Sequence, residues 1–380
     1  MSKSNETTPN VPTLRFKQFQ DNWSSKRLSD IAEVVGGGTP DTTDSTFWNG
    51  DIQWFTPTEV GHSKYVSMSV RTISQLGLQK SSAKILPAGS ILLSSRATVG
   101  ECSIAQKDCT TNQGFQNLIP KKGINNEFLY YLAQTQKRHF IKYASGSTFL
   151  EISNSEIKKT KCAVPGIKEQ TEIATFLSAI DKKIETQNKI ISKYETLIKG
   201  LCDILFTVTE ENVLPLKSIA SIDKGQQING LSLAKTGKYY YLNGGITPSG
   251  YVDDYNTSEN TIAISEGGNS CGFVSYNAQK FWSGGHCYTL KIKNTQCRSK
   301  FLFFYLKYRE KDIMQLRVGS GLPNIQKKSL ENFVVPLPTF EKQCYIECIL
   351  ESITAKKEIE TALLGQFQSQ KKFLLSKMFI

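Results

Sequence analysis

IATFLSAIDKKIETQNKIISKYETLIKGLCDIL (residues 173–205) decides the architecture. Apolar side chains recur on a 4-3 ladder through Ile173, Leu177, Ile180, Ile184, Gln187, Ile191, Tyr194, Ile198, Leu201 and Leu205. Nine of those ten positions are apolar, and no proline falls between Pro165 and Pro215. Such spacing puts one stripe along a long helix and reads as a coiled-coil seam. A second ladder runs through Ile346, Leu350, Ile353, Lys357, Glu360, Leu364, Phe367, Lys371, Leu374 and Met378, apolar at seven of ten positions. A helix of about 36 residues is roughly 54 Å long. Neither stripe is satisfied alone, so the economical expectation is that the two helices pack on each other, the alternatives being that each packs on its own domain or on another chain.

The helices belong to an internal repeat. Residues 165–207 and 338–380 align at a fixed offset of 173 with 10 identities in 43, including Pro165/Pro338, Gln170/Gln343, Leu177/Leu350 and Phe206/Phe379. At the same offset Gly146-Ser147 matches Gly319-Ser320, and Ile152 matches Ile325. Further upstream GSILLS (89–94) parallels NTIAIS (260–265), FLYYL (128–132) parallels LFFYL (302–306), and Leu28–Ala32 echoes Leu216–Ala220. The order is therefore globular (1–164), helical (165–207), globular (208–337), helical (338–380). Short runs such as ILLSS, IAIS, GFVSY and YTLKIK, bounded by Gly, Asn and Ser, read as strands, so the globular parts are α/β of the mixed α+β kind.

Charge separates the segments. The 380 residues carry 46 Lys+Arg against 34 Asp+Glu, a net +12. Residues 1–164 hold 19 basic and 13 acidic side chains and 207–337 hold 15 and 10, whereas the helical segments are nearly balanced. Two basic domains suit two contacts with one polyanion. The segment MSKSNETTPNVPTLRF lacks the apolar core of a signal peptide, and the longest apolar run, FLFFYL (301–306), is far too short for a membrane. A cytoplasmic protein is the expectation. Nine cysteines without a C-x-x-C pair read as reduced thiols, and three histidines without H-E-x-x-H argue against zinc. No phosphate loop, Rossmann glycine motif or amino-methyltransferase tetrapeptide occurs, and Asp253-Asp254 reads as a solvated turn. No catalytic residue or metal ligand is assigned; the chain is expected to bind rather than to catalyse.

This pattern resembles the specificity subunit of type I restriction-modification enzymes. The residues that carry the resemblance are L-R-F-x-x-F-x-x-x-W (14–23), G-G-G-T-P (36–40) running to W-N-G-D-I-x-W (48–54), and S-G-S-T-F-L-E-I-S (145–153) leading to Val164-Pro165 and Glu169-Gln170. In the second half they are N-G-G-I-x-P-S-G-Y (243–251), I-S-E-G-G-N-S-C-G-F-V (264–274) and F-W-S-G-G-H (281–286). Two departures stand out: Lys342-Gln343 replaces Glu169-Gln170, and G-S-G-L-P-N-I (319–325) replaces G-S-T-F-L-E-I. The resemblance implies two target recognition domains, each reading half of a bipartite, asymmetric site in double-stranded DNA. The helices would form an antiparallel coiled coil that sets the spacing and docks two methyltransferase subunits. S-adenosylmethionine, ATP and magnesium would belong to those and to the restriction/translocase subunits, none of them to this chain. The alternatives are a stand-alone DNA-binding or scaffold protein and, further off, a DNA-modifying enzyme.

Loop residues are the candidates for DNA contact, because Arg can pair with guanine and Asn or Gln with adenine. They are Gly37, Thr39, Arg96, Asn112 and Gln113 in the first domain. In the second they are Ser265, Gly268 and Asn269, with Lys280 and Arg317 for phosphates.

Overall fold

A computed structural model describes residues 11–146, 150–207, 212–230, 233–319, 321 and 323–380. Ser147 and Ser320 of the repeat, and part of the two motifs around them, lie outside the described residues. The chain divides into two compact units, Met1–Gln187 with Leu363–Ile380, and Asn188–Ala362. Each unit therefore takes part of both long helices, Ile167–Thr207 and Phe340–Met378.

In the first unit a five-stranded sheet has the order Ala32–Gly36, Gln116–Pro120, Ile91–Leu93, Cys102–Ala105, Tyr65–Val66. A three-stranded sheet places Trp48–Phe55 between Arg71–Ile73 and Cys109–Thr111. Strand Ser24–Arg27 pairs antiparallel with Lys161–Val164 just before the central helix begins. In the second unit Ala220–Lys224, Cys287–Ile292, Thr261–Ser265 and Val274–Asn277 repeat the first four strands in the same order. Strand Val213–Pro215 pairs with Val334–Pro336 as the counterpart of the strand pair that precedes the central helix. The runs ILLSS, IAIS, GFVSY and YTLKIK each overlap one of these strands.

FLYYL and LFFYL lie in equivalent helices, Asn126–Thr135 and Ser299–Tyr308. Phe128, Leu129 and Leu132 pack on Ile91, Leu93, Cys102, Ile104 and Leu118; Phe301, Leu302 and Leu306 pack on Ile262, Ile264, Val274 and Leu290. Each apolar stripe of the long helices joins the adjacent core. Ile173, Leu177 and Ile180 meet Leu374, Met378 and Phe379 in the first unit; Cys202 and Phe206 meet Ile346 and Leu350 in the second. The helices run antiparallel in the first unit, where Asp181 faces Lys371 at 2.7 Å while Lys183 lies over the Phe367 ring, and in the second, where Glu195 faces Lys357 while Cys202 and Phe206 share a core with Ile346 and Leu350. Every ladder position of both helices is buried or half-buried, Gln187 among them. Two of the three polar interruptions of the second stripe are ion-paired to the first helix, Lys371 with Asp181 and Lys357 with Glu195 at 3.9 Å. All nine cysteines are free, and seven are buried.

A buried glutamine ties each long helix to its globular part. Gln170, 2% exposed, donates from Nε2 to the carbonyls of Pro165 (2.9 Å) and Gly123 (3.3 Å), and its Oε1 accepts from Asn125 N at 2.9 Å. Gln343, 0% exposed, repeats all three bonds: Pro338 O at 2.8 Å, Gln296 O at 2.9 Å and Arg298 N at 2.9 Å. Asn125 and Arg298 are the N-caps of the two equivalent helices, so one side chain links a helix start to a domain core. Lys342 stands where the first unit has Glu169. Glu169 takes the Arg15 guanidinium in a two-pronged pair, 2.7 Å on each side, and Arg15 belongs to a segment that also bonds Lys377 through Leu14. In the second unit the buried carboxylate is instead Glu347, which takes Arg298 at 2.6 Å and Phe301 N at 2.8 Å.

Replacing Gln170 by Leu keeps the volume but strands a buried N–H and two carbonyls, at a cost of about 2–4 kcal/mol. Calorimetry of the Gln170→Leu variant should show the melting transition of the first unit lowered by roughly 5–10 °C. An unchanged thermogram would contradict the role given to this side chain.

Candidate nucleic-acid interface

In the first unit strand Ala32–Gly36 leaves the sheet and its next three residues cross the end of strand Cys109–Thr111. At Gly37 the approach is so close that an added Cβ would stand 1.9 Å from the Asn112 carbonyl oxygen, which admits glycine alone. Gly38 N donates to Thr111 O at 2.8 Å, and Gly38 O accepts from the Trp54 indole Nε1 at 2.8 Å. Thr39 then bonds Gln113 through its hydroxyl. Asn112 Oδ1 accepts from Gly114 N at 2.8 Å, which holds the turn, and Ser95 N donates to Gly114 O at 2.8 Å, which brings Arg96 alongside. Arg96 is half exposed, with its Nε 3.9 Å from Glu151. The structure thus gathers Gly37, Thr39, Arg96, Asn112 and Gln113 on one edge of the unit.

The second unit has the same frame. An added Cβ at Gly225 would stand 2.3 Å from Gly284 O. Gln226 N donates to Ser283 O at 2.8 Å, and Gln226 O accepts from the Trp282 indole at 2.8 Å. Gln227 follows, exposed and beside Gly285. The neighbouring loops match bond for bond. Gly100 N reaches Ser94 O and Gly272 N reaches Ser265 O, both at 2.9 Å. Ala97 N reaches Leu150 O at 3.2 Å and Gly268 N reaches Pro323 O at 3.0 Å. Ala97 and Gly268 share a left-handed backbone, at φ 63° and 76°.

Of the second-domain candidates, Gly268, Asn269 and Arg317 adjoin this loop; Arg317 lies opposite Ile325, whose N–H bonds Glu266 O at 2.8 Å. Ser265 is a correction. It is 4% exposed and its hydroxyl is bound to the Gly244 carbonyl, so it shapes the loop and cannot reach a ligand. Lys280 stands apart, next to strand Trp282–Ser283, with its Nζ 3.2 Å from Tyr255 OH and 4.6 Å above that ring.

The surroundings are basic. A cleft of about 480 Å³ beside Gly36 is lined by Lys84, Lys121 and Lys158, with Glu33 and Asn154. Lys121 N bonds Ile31 O at 2.9 Å, and its counterpart Lys293 N bonds Ile219 O at 3.0 Å. In the second unit Glu266 takes Lys224 at 2.6 Å and Tyr288 OH at 3.1 Å, with His286 Nδ1 at 3.7 Å. Burial, then Glu266, pushes the Tyr288 phenol up to about 12. Burial also pushes the thiols of Cys109 and Cys287 up to about 12 and about 11, so at neutral pH both are protonated packing groups rather than nucleophiles. Asp253 and Asp254 are exposed in a loop. Amides and hydroxyls on a fixed backbone, flanked by lysines, are equipment for binding a polyanion.

Gln227, Lys224, Lys293 and His286 escaped the sequence reading. The echo of Leu28–Ala32 in Leu216–Ala220, carried seven residues further, leads from Thr39 to Gln227 and could have found it.

The family model described as "Type I restriction modification DNA specificity domain" matches residues 20–196 and 210–367. The MjaIX type I restriction enzyme specificity subunit of Methanocaldococcus jannaschii is 30% identical, over 90% of this chain and 91% of its own length. The EcoR124I/EcoR124II specificity subunit of Escherichia coli is 27% identical over 49% of this chain and 50% of its own. Among solved structures, the type I restriction-modification S subunit of M. genitalium superposes with a TM-score of 0.67 at 20% identity, covering 97% of this chain and 99% of that one.

Gly37→Ala should cost about 1–3 kcal/mol through the backbone clash, whereas Gly230→Ala, with nothing within 4 Å of the new methyl, should be neutral. Equal melting of the two variants would refute the close approach at Gly37.

Proposed function

The chain belongs to the family of type I restriction-modification DNA specificity domains, and from that premise we propose how its two units divide recognition between them. Each unit reads one half of a bipartite, asymmetric duplex target, through the loop edge that carries Thr39 and Gln113 in the first and Gln227 and Asn269 in the second. The long helices set the spacing between half-sites and dock two methyltransferase subunits, and restriction subunits join that assembly. S-adenosylmethionine, ATP and magnesium act on those partners; this chain contributes recognition.

One observation carries the reading. The same hydrogen-bonded backbone frame occurs in both units while the side chains on it differ: Thr39 against Gln227, Gln113 against Gly285, Ala97 against Gly268. A shared frame with exchanged side chains is what two related readers of different base sequences require. The lysines beside each frame supply the sequence-independent part of the affinity.

The test is a domain replacement. With residues 15–164 exchanged for the equivalent domain of a relative, the assembled methyltransferase should modify a target in which one half-site is new and the other is retained. Mapping of methylated adenines reads the result. A hybrid that is active and changes both halves together would overturn the division.

A further inference from the structure

Both units pin the same peptide with a tryptophan, and the tryptophans come from opposite strands. In the first unit Trp54, on strand Trp48–Phe55, lies opposite Thr110 in a parallel pairing; in the second Tyr241 lies opposite Trp282 in the equivalent parallel pairing. Thr111 and Ser283, each next along its strand, accept the same loop N–H. Trp54 therefore stands where the second unit has Tyr241, and Trp282 stands where the first has Thr110. What the two share is the acceptor they serve, the carbonyl of Gly38 or Gln226.

A buried indole needs an acceptor in any case, and Trp54 is 4% exposed, fixed edge-on to Trp48 at 5.0 Å with Arg71 above the pair. That need does not account for Trp282, which is only half-buried and within reach of water. The recurrent element is the bond itself. With its N–H and its C=O both held, residue 38 or 226 cannot rotate, and the direction of the following side chain is set. That side chain is Thr39 in one unit and Gln227 in the other, and Gln227 projects beside a glycine that leaves it room. A carboxamide so presented matches the N6/N7 edge of adenine in the major groove.

We propose that Trp54 and Trp282 are positioning residues for sequence reading, each holding the loop peptide so that Thr39 or Gln227 meets the DNA in one orientation, with Gln227 directed at an adenine. The proposal rests on the reading that each unit contacts one half-site.

The test uses the full chain assembled with its methyltransferase subunits, on the mapped target and on targets with single base changes in either half. Trp282→Phe keeps the ring and deletes the donor. Discrimination at one base pair of the second unit's half-site should fall about five- to tenfold, with the other half-site unaffected and melting unchanged. Gln227→Ala should flatten preference at that same base pair, and the double variant should lose no more than Gln227→Ala alone, because the indole acts through Gln227. Trp54→Phe, with the same assay on the first half-site, serves if the Trp282 variant fails to assemble. Retained discrimination in an assembled variant, losses that add, or losses in both halves alike would overturn the proposal. A parent complex with no bipartite preference would instead overturn the functional reading beneath it.

Discussion

The buried amide of Gln170, and of Gln343 in the second unit, is the constraint on which the rest depends. Each saturates three backbone groups that come together nowhere else: the turn at the proline before a long helix, the loop before a shorter helix, and that shorter helix's cap. A buried carboxamide is tolerated only when its donors and acceptors are matched. The angle at which a helix leaves its domain is thereby fixed by hydrogen bonds rather than by apolar contact alone. The cores then close around it, with Ile173 and Leu177 entering one and Ile346 and Leu350 the other.

Duplication explains why this constraint is met twice, and divergence shows where it is not needed. The amide and its partners are kept to within about 0.4 Å in every bond. The carboxylate beside it is free to change partner, from Glu169 with Arg15 to Glu347 with Arg298. The same rule governs the loop edges. Backbone bonds around Gly37 and Gly225 recur, while the indole that completes them changes strand and the exposed side chains change identity. Conserved frame and exchanged display are the physical content of a two-part reader.

The helices were legible in the sequence because a 4-3 stripe survives three polar substitutions, and Lys357 and Lys371 broke the pattern only because their charges are answered on the other helix. The strands ILLSS and IAIS were legible for the ordinary reason that short apolar runs between glycines and asparagines have few other uses. The candidate edge was half legible. Glycines and amides marked the first loop, since Gly37, Thr39, Asn112 and Gln113 cluster in space. In the second unit the turn motif around Ser265 drew attention to a residue whose hydroxyl is spent on Gly244. Gln227 has no motif of its own; what marks its place is the bond between the preceding carbonyl and an indole 56 residues away. Contacts of that range leave no local signature.

Mapping methylated adenines across the genome of cells that carry the complete system tests the central claim most directly. Two basic units with one frame and different side chains predict two short defined sequences, unlike each other and separated by an undefined spacer of constant length. A single continuous recognition sequence, or two half-sites at variable separation, would contradict the account.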